Sequence, residues 1–231
     1  MLRTYLFNPP ASLVLFLLFY VSGAIAKRLG KSGHGVGRVF SGWLLKANGI
    51  RAEVEGADRL RGQGACVLVS NHLSLADTPL LYAYLPLEFR FIAKASLFRA
   101  PIVGAHLSRS GHISVMREDP RSAVKSLAQA AEVLARGVSV LLFAEGSRSD
   151  GLLQSFKGGA AHLAIKSGVP VVPIAVEGTA EVLPKGSFLM RPGLVRLRVG
   201  KPLPTEGLGP KDRDQFTRNL QASVASLLHE S

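Results

Sequence analysis

Short apolar runs alternate with amphipathic segments along most of the chain. Residues 65–69, 139–143 and 171–176 are nearly continuous apolar runs, which is typical of strands buried on both faces of a parallel sheet. In residues 194–199, Val195, Leu197 and Val199, predicted to point inward, alternate with arginines. Arg196 and Arg198 are predicted to point outward, which indicates a strand near an edge of the sheet. Because strand-like runs alternate with helical segments, we predict an α/β fold with a mostly parallel central sheet flanked by helices.

Three helices of this fold can be placed from their start and stop signals. Asp119 can cap a helix that has Pro120 in its first turn and ends at Gly137. A second helix ends near Gly168, directly before the run 171–176. The last helix is amphipathic and closes the fold, with its apolar positions at Phe216, Leu220, Val224 and Leu228.

The first 48 residues differ in character from the rest of the chain. Residues 11–26 are almost wholly apolar, and as a helix they would rise ~24 Å, less than the ~30 Å of a bilayer's hydrocarbon core. This segment therefore either spans a thinned bilayer or lies embedded in one leaflet. A glycine-rich stretch at 30–37, which we interpret as a hinge, leads to a second apolar stripe at helical spacing. The stripe consists of Val36, Phe40, Trp43, Leu44 and Ala47.

We predict that residues 1–48 form a membrane-associating helical hairpin and that residues 49–231 form a single α/β domain. An ordinary core helix explains the second stripe equally well. Five cations lie within residues 27–46, after the apolar segment, whereas Arg3 alone precedes it. This bias predicts that the domain lies on the cytoplasmic face of the inner membrane.

Basic residues dominate the charge, since 28 Lys and Arg outnumber 16 Asp and Glu. The resulting positive field favours anionic partners such as phospholipid headgroups, phosphorylated substrates or nucleic acid. Nucleic-acid binding has no support beyond charge, because the chain has four Tyr and one Trp and lacks an aromatic-rich strand of the RRM type. Cys66 is the only cysteine, which excludes an intrachain disulfide and a Cys-based zinc site, and we predict no metal.

Polar residues follow two of the predicted strands, and in open parallel sheets ligands bind beyond the carboxyl ends of the strands. His72 follows the first strand and Glu145–Arg148 follow the second. His72 and Asp77 are five residues apart, which would put them ~140° out of phase on a regular helix. Asp77 instead begins a segment with proline in its first turn, so a preceding loop can bring its carboxylate to one imidazole nitrogen. The other nitrogen would then act as a general base on an alcohol, although a capping Asp beside an unrelated His fits the spacing equally well.

Three cations near predicted strand or helix ends are candidates for a phosphate site: Arg117, Arg148 and Lys157. A guanidinium presents a planar fork that suits phosphate oxygens, so the two arginines are the stronger candidates. Local ion pairs are the alternative, with Asp119 near Arg117 and Asp150 near Arg148.

The segment Asn71–Asp77 reads NHLSLAD and resembles the NHxxxxD motif of the glycerolipid acyltransferases related to 1-acylglycerol-3-phosphate acyltransferase. Two positions depart from that family's pattern: Ala144 replaces a Pro, which relaxes a backbone constraint, and Ser147 replaces a Thr, which keeps the hydroxyl. Three further blocks resemble the family's other motifs in order and rough spacing, namely Gly111–Arg117, Phe143–Ser149 and Val169–Ile174.

This resemblance implies a catalytic domain in residues 49–231 that moves a fatty acyl group from acyl-CoA or acyl carrier protein to the hydroxyl of a lysophospholipid. Lysophosphatidate, giving phosphatidate in phospholipid biosynthesis, is the expected acceptor, and lyso-ornithine lipid is an alternative. His72 is expected to deprotonate that hydroxyl, and Asp77 is expected to orient the His72 ring. The acyl group would be transferred directly, without a cofactor. Membrane lipids are the expected partners besides the substrates. The predicted substrate-binding residues are Lys94, Arg117, Glu145, Gly146, Ser147, Arg148 and Lys157.

Two rival hypotheses use the same residues differently. A lysophospholipase would use Ser74 as nucleophile, with His72 and Asp77 completing a triad, but the Gly-x-Ser-x-Gly elbow of α/β-hydrolases is absent. A non-enzymatic basic scaffold at a membrane surface explains the charge and the apolar N-terminal segment. It assigns no role to the His72 and Asp77 pair.

Overall fold

The computed structural model describes residues 33–116, 118–187 and 189–229. Seven strands form one sheet in these residues, in the order β1-β7-β6-β2-β5-β3-β4. The strands are β1 (Ile50–Glu55), β2 (Val67–Ser70), β3 (Phe89–Lys94), β4 (Ile113–Val115), β5 (Ser139–Phe143), β6 (Val171–Glu177) and β7 (Gly193–Val199). The α-helices are α1 (Gly33–Ala47), α2 (Asp77–Tyr84), α3 (Pro101–Arg109), α4 (Pro120–Ala135), α5 (Gly159–Ser167), α6 (Thr179–Val182) and α7 (Arg213–His229).

Most of the sheet is parallel, as predicted. Strands β2 to β6 all run in one direction, while β7 is antiparallel to β6 and β1 is parallel to β7. Because β2 to β6 share a direction, their last residues meet at one side of the sheet, here named the carboxyl edge. Their first residues meet at the opposite side, here named the amino edge.

Helices cover both faces of the sheet, which explains why its central strand is apolar throughout. All four residues of β2 are buried. Leu68 packs on one face with Leu80 and Leu81 of α2. Val67 and Val69 pack on the other face with side chains of α4, α5 and α7. A strand buried on both faces needs no polar alternation, so the apolar runs identify β2, β5 and β6 in the sequence.

The glycine-rich stretch that we interpreted as a hinge is helical from Gly33 onward and forms the first turns of α1. The Tyr82 ring packs against Gly37. A Cβ at this position would lie 3.0 Å from that ring, so the glycine allows the close contact. The hinge interpretation was therefore wrong for residues 33–37, because they are helical and Gly37 allows α1 to pack closely on α2.

Only the second half of the predicted N-terminal hairpin falls within the described residues, since 1–32 lie outside them. That half is α1, which packs on α2 and buries His34, Ser41 and Leu44 while Trp43 stays exposed. None of the helices in the described part of the chain is long and apolar enough to cross a membrane. The packing of α1 agrees with the core-helix alternative, and the structure does not support the membrane hairpin.

Three histidines join α1, α2 and α3 around Tyr82: His34 and His112 are buried, and His106 is half-buried. The Phe91 N–H donates to Nδ1 of His112 at 2.8 Å, so this histidine carries its proton on Nε2 and donates to the Tyr82 hydroxyl. The hydroxyl lies 3.2 Å from Nε2 of His106 and donates to it. The ring of His34 lies 5.0 Å from that of Tyr82, between centroids. Burial lowers the pKa of His34 and of His106 to about 4 and holds the pKa of His112 well below its usual value.

These histidines make the free energy of unfolding depend on pH. In the unfolded chain a histidine titrates near ~6.5, so between about pH 6.5 and 4 the unfolded state binds more protons and stability falls as pH falls. Replacing His34 with Phe should reduce the fall over this range by on the order of 2–3 kcal/mol. Chemical denaturation at a series of pH values measures it. His162→Asn, at an exposed position of α5, is the control, and an unchanged pH dependence in His34→Phe would contradict the prediction.

Candidate active site

The candidate site begins where β2 ends at the carboxyl edge. Asn71, the first residue after β2, bonds through its side-chain amide to both backbone groups of Val176 on β6. Its Nδ2 donates to the Val176 carbonyl at 2.9 Å, and its Oδ1 accepts from the Val176 N–H at 2.8 Å. The amide thus continues the pairing of the two strands by one step. This fixes the start of the loop that carries His72.

His72 and Asp77 meet across a turn, as the loop argument requires. Nδ1 of His72 lies 2.7 Å from Oδ2 of Asp77. Asp77 is the first residue of α2 and is fully buried, while His72 is 8% exposed. The same Oδ2 accepts from the N–H groups of Leu73 at 2.8 Å and Ser74 at 3.1 Å. Because the carboxylate accepts, the proton of the neutral imidazole is on Nδ1 and Nε2 is left as a base.

Phe143 fixes the plane of the His72 ring. This phenylalanine is the last residue of β5, and the two rings stack with centroids 3.9 Å apart and an interplanar angle of 14°. The His72 carbonyl accepts from the backbone N–H of Ser149 at 2.8 Å. His72 is thus held at three points. Phe143 packs on the ring face, Asp77 bonds to Nδ1, and the Ser149 N–H bonds to the backbone carbonyl.

Glu145, one of the predicted substrate-binding residues, bonds within the protein. Its side chain is buried, Oε1 accepts from the His72 N–H at 2.6 Å, and Oε2 accepts from the Gln154 N–H at 2.9 Å. Both carboxylate oxygens therefore bind the chain itself. Its role is to tie the loop after β2 to the loop after β5.

The hydroxyl of Ser74 is also engaged within the protein. It donates to the Leu183 carbonyl at 2.7 Å and accepts from the Ala76 N–H at 3.1 Å. Its proton therefore points to a carbonyl and not to His72. This arrangement argues against the lysophospholipase hypothesis, because a serine nucleophile needs the histidine to receive that proton.

The predicted phosphate ligands differ in exposure and in their ion-pair partners. Arg117 lies outside the described residues. Arg148 is half-buried, and within the described chain no carboxylate lies at ion-pair distance from it. Asp150, its expected local partner, pairs instead with Lys185 at 3.1 Å. Lys94 is exposed and lies 3.5 Å from Glu118.

Lys157 reaches the same loop across Gly146. This glycine has φ +77°, and a Cβ there would lie 2.8 Å from both Cε and Nζ of Lys157. The absence of a side chain at Gly146 thus makes room for the Lys157 ammonium group beside the segment Phe143–Ser149. Ser147 is exposed in that segment. Ala144, where the related family has Pro, donates its N–H to the Ser70 carbonyl at 3.1 Å, a bond that proline cannot make.

Residues 51–177 match the Acyltransferase family model. The 1-acyl-sn-glycerol-3-phosphate acyltransferase of Pseudomonas aeruginosa is 32% identical over 83% of this chain and 74% of its own length. A chloroplastic 1-acyl-sn-glycerol-3-phosphate acyltransferase of Brassica napus is 40% identical over 66% of this chain and 45% of its own length. The chain therefore spans about half the length of this plant relative.

A solved structure resembles this chain over nearly its whole length. It is the crystal structure of the 1-acyl-sn-glycerophosphate (LPA) acyltransferase PlsC from Thermotoga maritima. The two match with a TM-score of 0.76 and 26% identity, over 97% of this chain and 99% of the other.

Proposed function

Because the chain belongs to the acyltransferase family, we propose that it transfers a fatty acyl group from a thioester to the free hydroxyl of a lysophospholipid. Lysophosphatidate is the proposed acceptor and phosphatidate the product, since the relatives' names specify 1-acyl-glycerol-3-phosphate. The observation that carries this proposal is the His72–Asp77 pair, which leaves one imidazole nitrogen as a base at the carboxyl edge. The donor is acyl-CoA or acyl carrier protein, and the scheme uses no cofactor.

The proposed reaction is a direct transfer. Nε2 of His72 takes the proton of the acceptor hydroxyl as its oxygen attacks the thioester carbonyl. The tetrahedral intermediate then collapses, the C–S bond breaks, and the imidazolium returns the proton to the leaving thiolate. Asp77 stabilises the imidazolium and keeps the ring in the tautomer that presents Nε2. Phe143 limits the ring to one plane, so the base needs no reorientation between the two proton transfers.

The acceptor phosphate is proposed to bind Arg148 and Lys157. Both cations belong to the loop after β5, and neither is neutralised by a carboxylate in the described chain. A guanidinium and an ammonium together match the charge of a phosphate monoester. Lys94 is proposed to contribute after exchanging its exposed partner Glu118 for the phosphate. Arg117 and Ser147 remain proposed contacts of the same site.

We place the enzyme at the cytoplasmic face of the inner membrane. The apolar segment 11–26 and the cations that follow it support this placement. A basic scaffold without catalysis would explain the same features. Such a scaffold would not need the buried Asp77 carboxylate, whose hydrogen bonds hold the His72 imidazole in a single orientation.

Replacement of His72 by Ala should lower kcat for acyl transfer to lysophosphatidate by roughly 10²- to 10⁴-fold, because the general base is lost. Turnover is measured with purified protein by mass detection of phosphatidate. Cooperative unfolding of the variant shows that the fold persists. Near-normal turnover in folded His72→Ala would refute the proposed base, and absence of product from the unaltered protein would refute the proposed acceptor.

Replacement of Arg148 by Ala should raise KM for lysophosphatidate on the order of 10- to 100-fold, in line with the loss of a charged hydrogen bond. The KM for the acyl donor should change much less. Arg136→Ala removes an exposed arginine at the end of α4, near the amino edge, and serves as the matched control. If the Arg148 variant changed only the donor KM, the phosphate assignment would be wrong.

A further inference from the structure

The first half of α4 exposes a surface that combines cations with an apolar side chain. Four exposed residues recur at helical spacing on this side of the helix, and the buried residues of α4 lie on the opposite side. The four are Arg121, Val124, Lys125 and Ala128, here named the α4 basic face. Val124 is 69% exposed, so the face has an apolar centre in contact with water.

The positive charge of the α4 basic face is not neutralised within the protein. In the part of the chain that the structure describes, neither Arg121 nor Lys125 has a carboxylate at ion-pair distance. Residues 120–131 contain no Asp or Glu, and Glu132 pairs with Arg136 at 3.2 Å. The start of a helix favours acidic side chains because the helix dipole is positive there, yet the first turn of α4 has none. An external anionic partner would therefore be stabilised at this face.

The α4 basic face begins beside the candidate active site. Because α4 follows β4, its first residues lie at the carboxyl edge. Glu118, just before the helix, pairs at 3.5 Å with Lys94 at the end of β3. Further along α4, the Leu127 side chain lies 4.0 Å from the position of a Cβ on Gly159, the first residue of α5. A partner bound to this face can therefore bring a group on a flexible arm to the candidate active site.

An acidic protein fits this face better than a nucleotide or a bilayer. Two cations beside an exposed valine complement a surface with carboxylates around apolar side chains, since the charges orient the partner and the apolar contact excludes water. The phosphates of CoA would match the cations but would leave Val124 in water. A bilayer at the carboxyl edge would touch only the first turn, because α4 packs across one face of the sheet.

We propose that the α4 basic face docks acyl carrier protein, a small acidic protein that carries its acyl thioester on a phosphopantetheine arm. This proposal rests on the proposed function, because it assigns a surface of the enzyme to the protein part of one of the two donors. Acyl-CoA would use the same active site without contacting this face. The two donors should therefore respond differently to changes in α4.

Matched charge reversals in the full chain test this docking. Arg121→Glu, Lys125→Glu reverses the face, and Lys166→Glu, Arg218→Glu makes the same change of net charge at exposed positions of α5 and α7. When both donors carry the same acyl chain, kcat/KM for the acyl carrier protein donor should fall on the order of 10- to 100-fold in the α4 variant, because like charges then meet. Its kcat/KM for acyl-CoA should stay close to that of the unaltered protein, as should both values in the control.

A binding measurement tests the same surface without turnover. Acyl carrier protein that bears its phosphopantetheine arm but no acyl group is titrated into the enzyme, and its affinity should weaken as salt is added. The α4 variant and Val124→Asp should each bind it on the order of 10-fold more weakly than the unaltered protein and the control variant do. No lysolipid is present, so this result is decisive even if lysophosphatidate is not the acceptor.

Cooperative unfolding of each variant shows that it is folded, and glutamate near the start of a helix suits the helix dipole. The proposal is overturned if the unaltered protein does not bind acyl carrier protein, or if the α4 variant binds it normally. An equal fall in kcat/KM for both donors would also overturn it. Normal binding of acyl carrier protein together with weaker binding to phosphatidylglycerol vesicles would assign the face to lipid instead.

Discussion

The carboxylate of Asp77 is the group on which the arrangement of the site depends. A buried charge is expensive unless hydrogen bonds replace the lost water, and here one oxygen accepts from His72 and from two backbone N–H groups. Those N–H groups belong to Leu73 and Ser74, so stabilising the charge also bends the loop between β2 and α2. The same contacts select the tautomer of His72. This one carboxylate therefore shapes the loop and, together with the Phe143 ring, sets the orientation of the base.

Contacts with the sheet and with the segment after β5 also hold this loop in place. Asn71 joins the loop to β6, Glu145 joins it to the segment after β5, and Phe143 stacks on the imidazole. Of the side chains that hold His72, Asn71 and Glu145 are buried and Phe143 is half-buried. Arg148 and Lys157, both proposed for the phosphate, are half-buried and exposed respectively, and neither has a carboxylate partner in the described chain. The proposed base, which needs a fixed geometry, is therefore buried. The proposed phosphate ligands, which must exchange water for substrate, lie nearer the surface.

The sequence predicted those elements whose burial is simple. Strands β2, β5 and β6 were visible as apolar runs, and α7 was visible by its period, because each buries a continuous face. Strand β1 alternates apolar and charged residues as β7 does, so the same signal could have identified it, whereas β4 has only three residues, too few to show a pattern. The outward orientation predicted for Arg198 was wrong, since it is buried and pairs with Glu177 of the neighbouring strand. No local pattern reports such a partner.

The site shows the same division. The pairing of His72 with Asp77 could be predicted from spacing and helix-start chemistry, because only a short loop separates His72 from the first residue of α2. The part played by Glu145 was not, since its two donors lie 73 and nine residues away along the chain. The contact between Lys157 and Gly146 could not be predicted either, because it depends on the fold that brings the two residues together. Motif resemblance identified these residues as important without indicating what each one contacts.

The most direct test of the central claim is a double-mutant cycle on kcat that combines His72→Ala with Asp77→Asn, each variant being checked for cooperative unfolding. If Asp77 acts through the imidazole, the double variant should turn over no more slowly than His72→Ala alone. If the two losses simply multiplied, the carboxylate would be acting independently of His72, and the account of the base given above would be wrong.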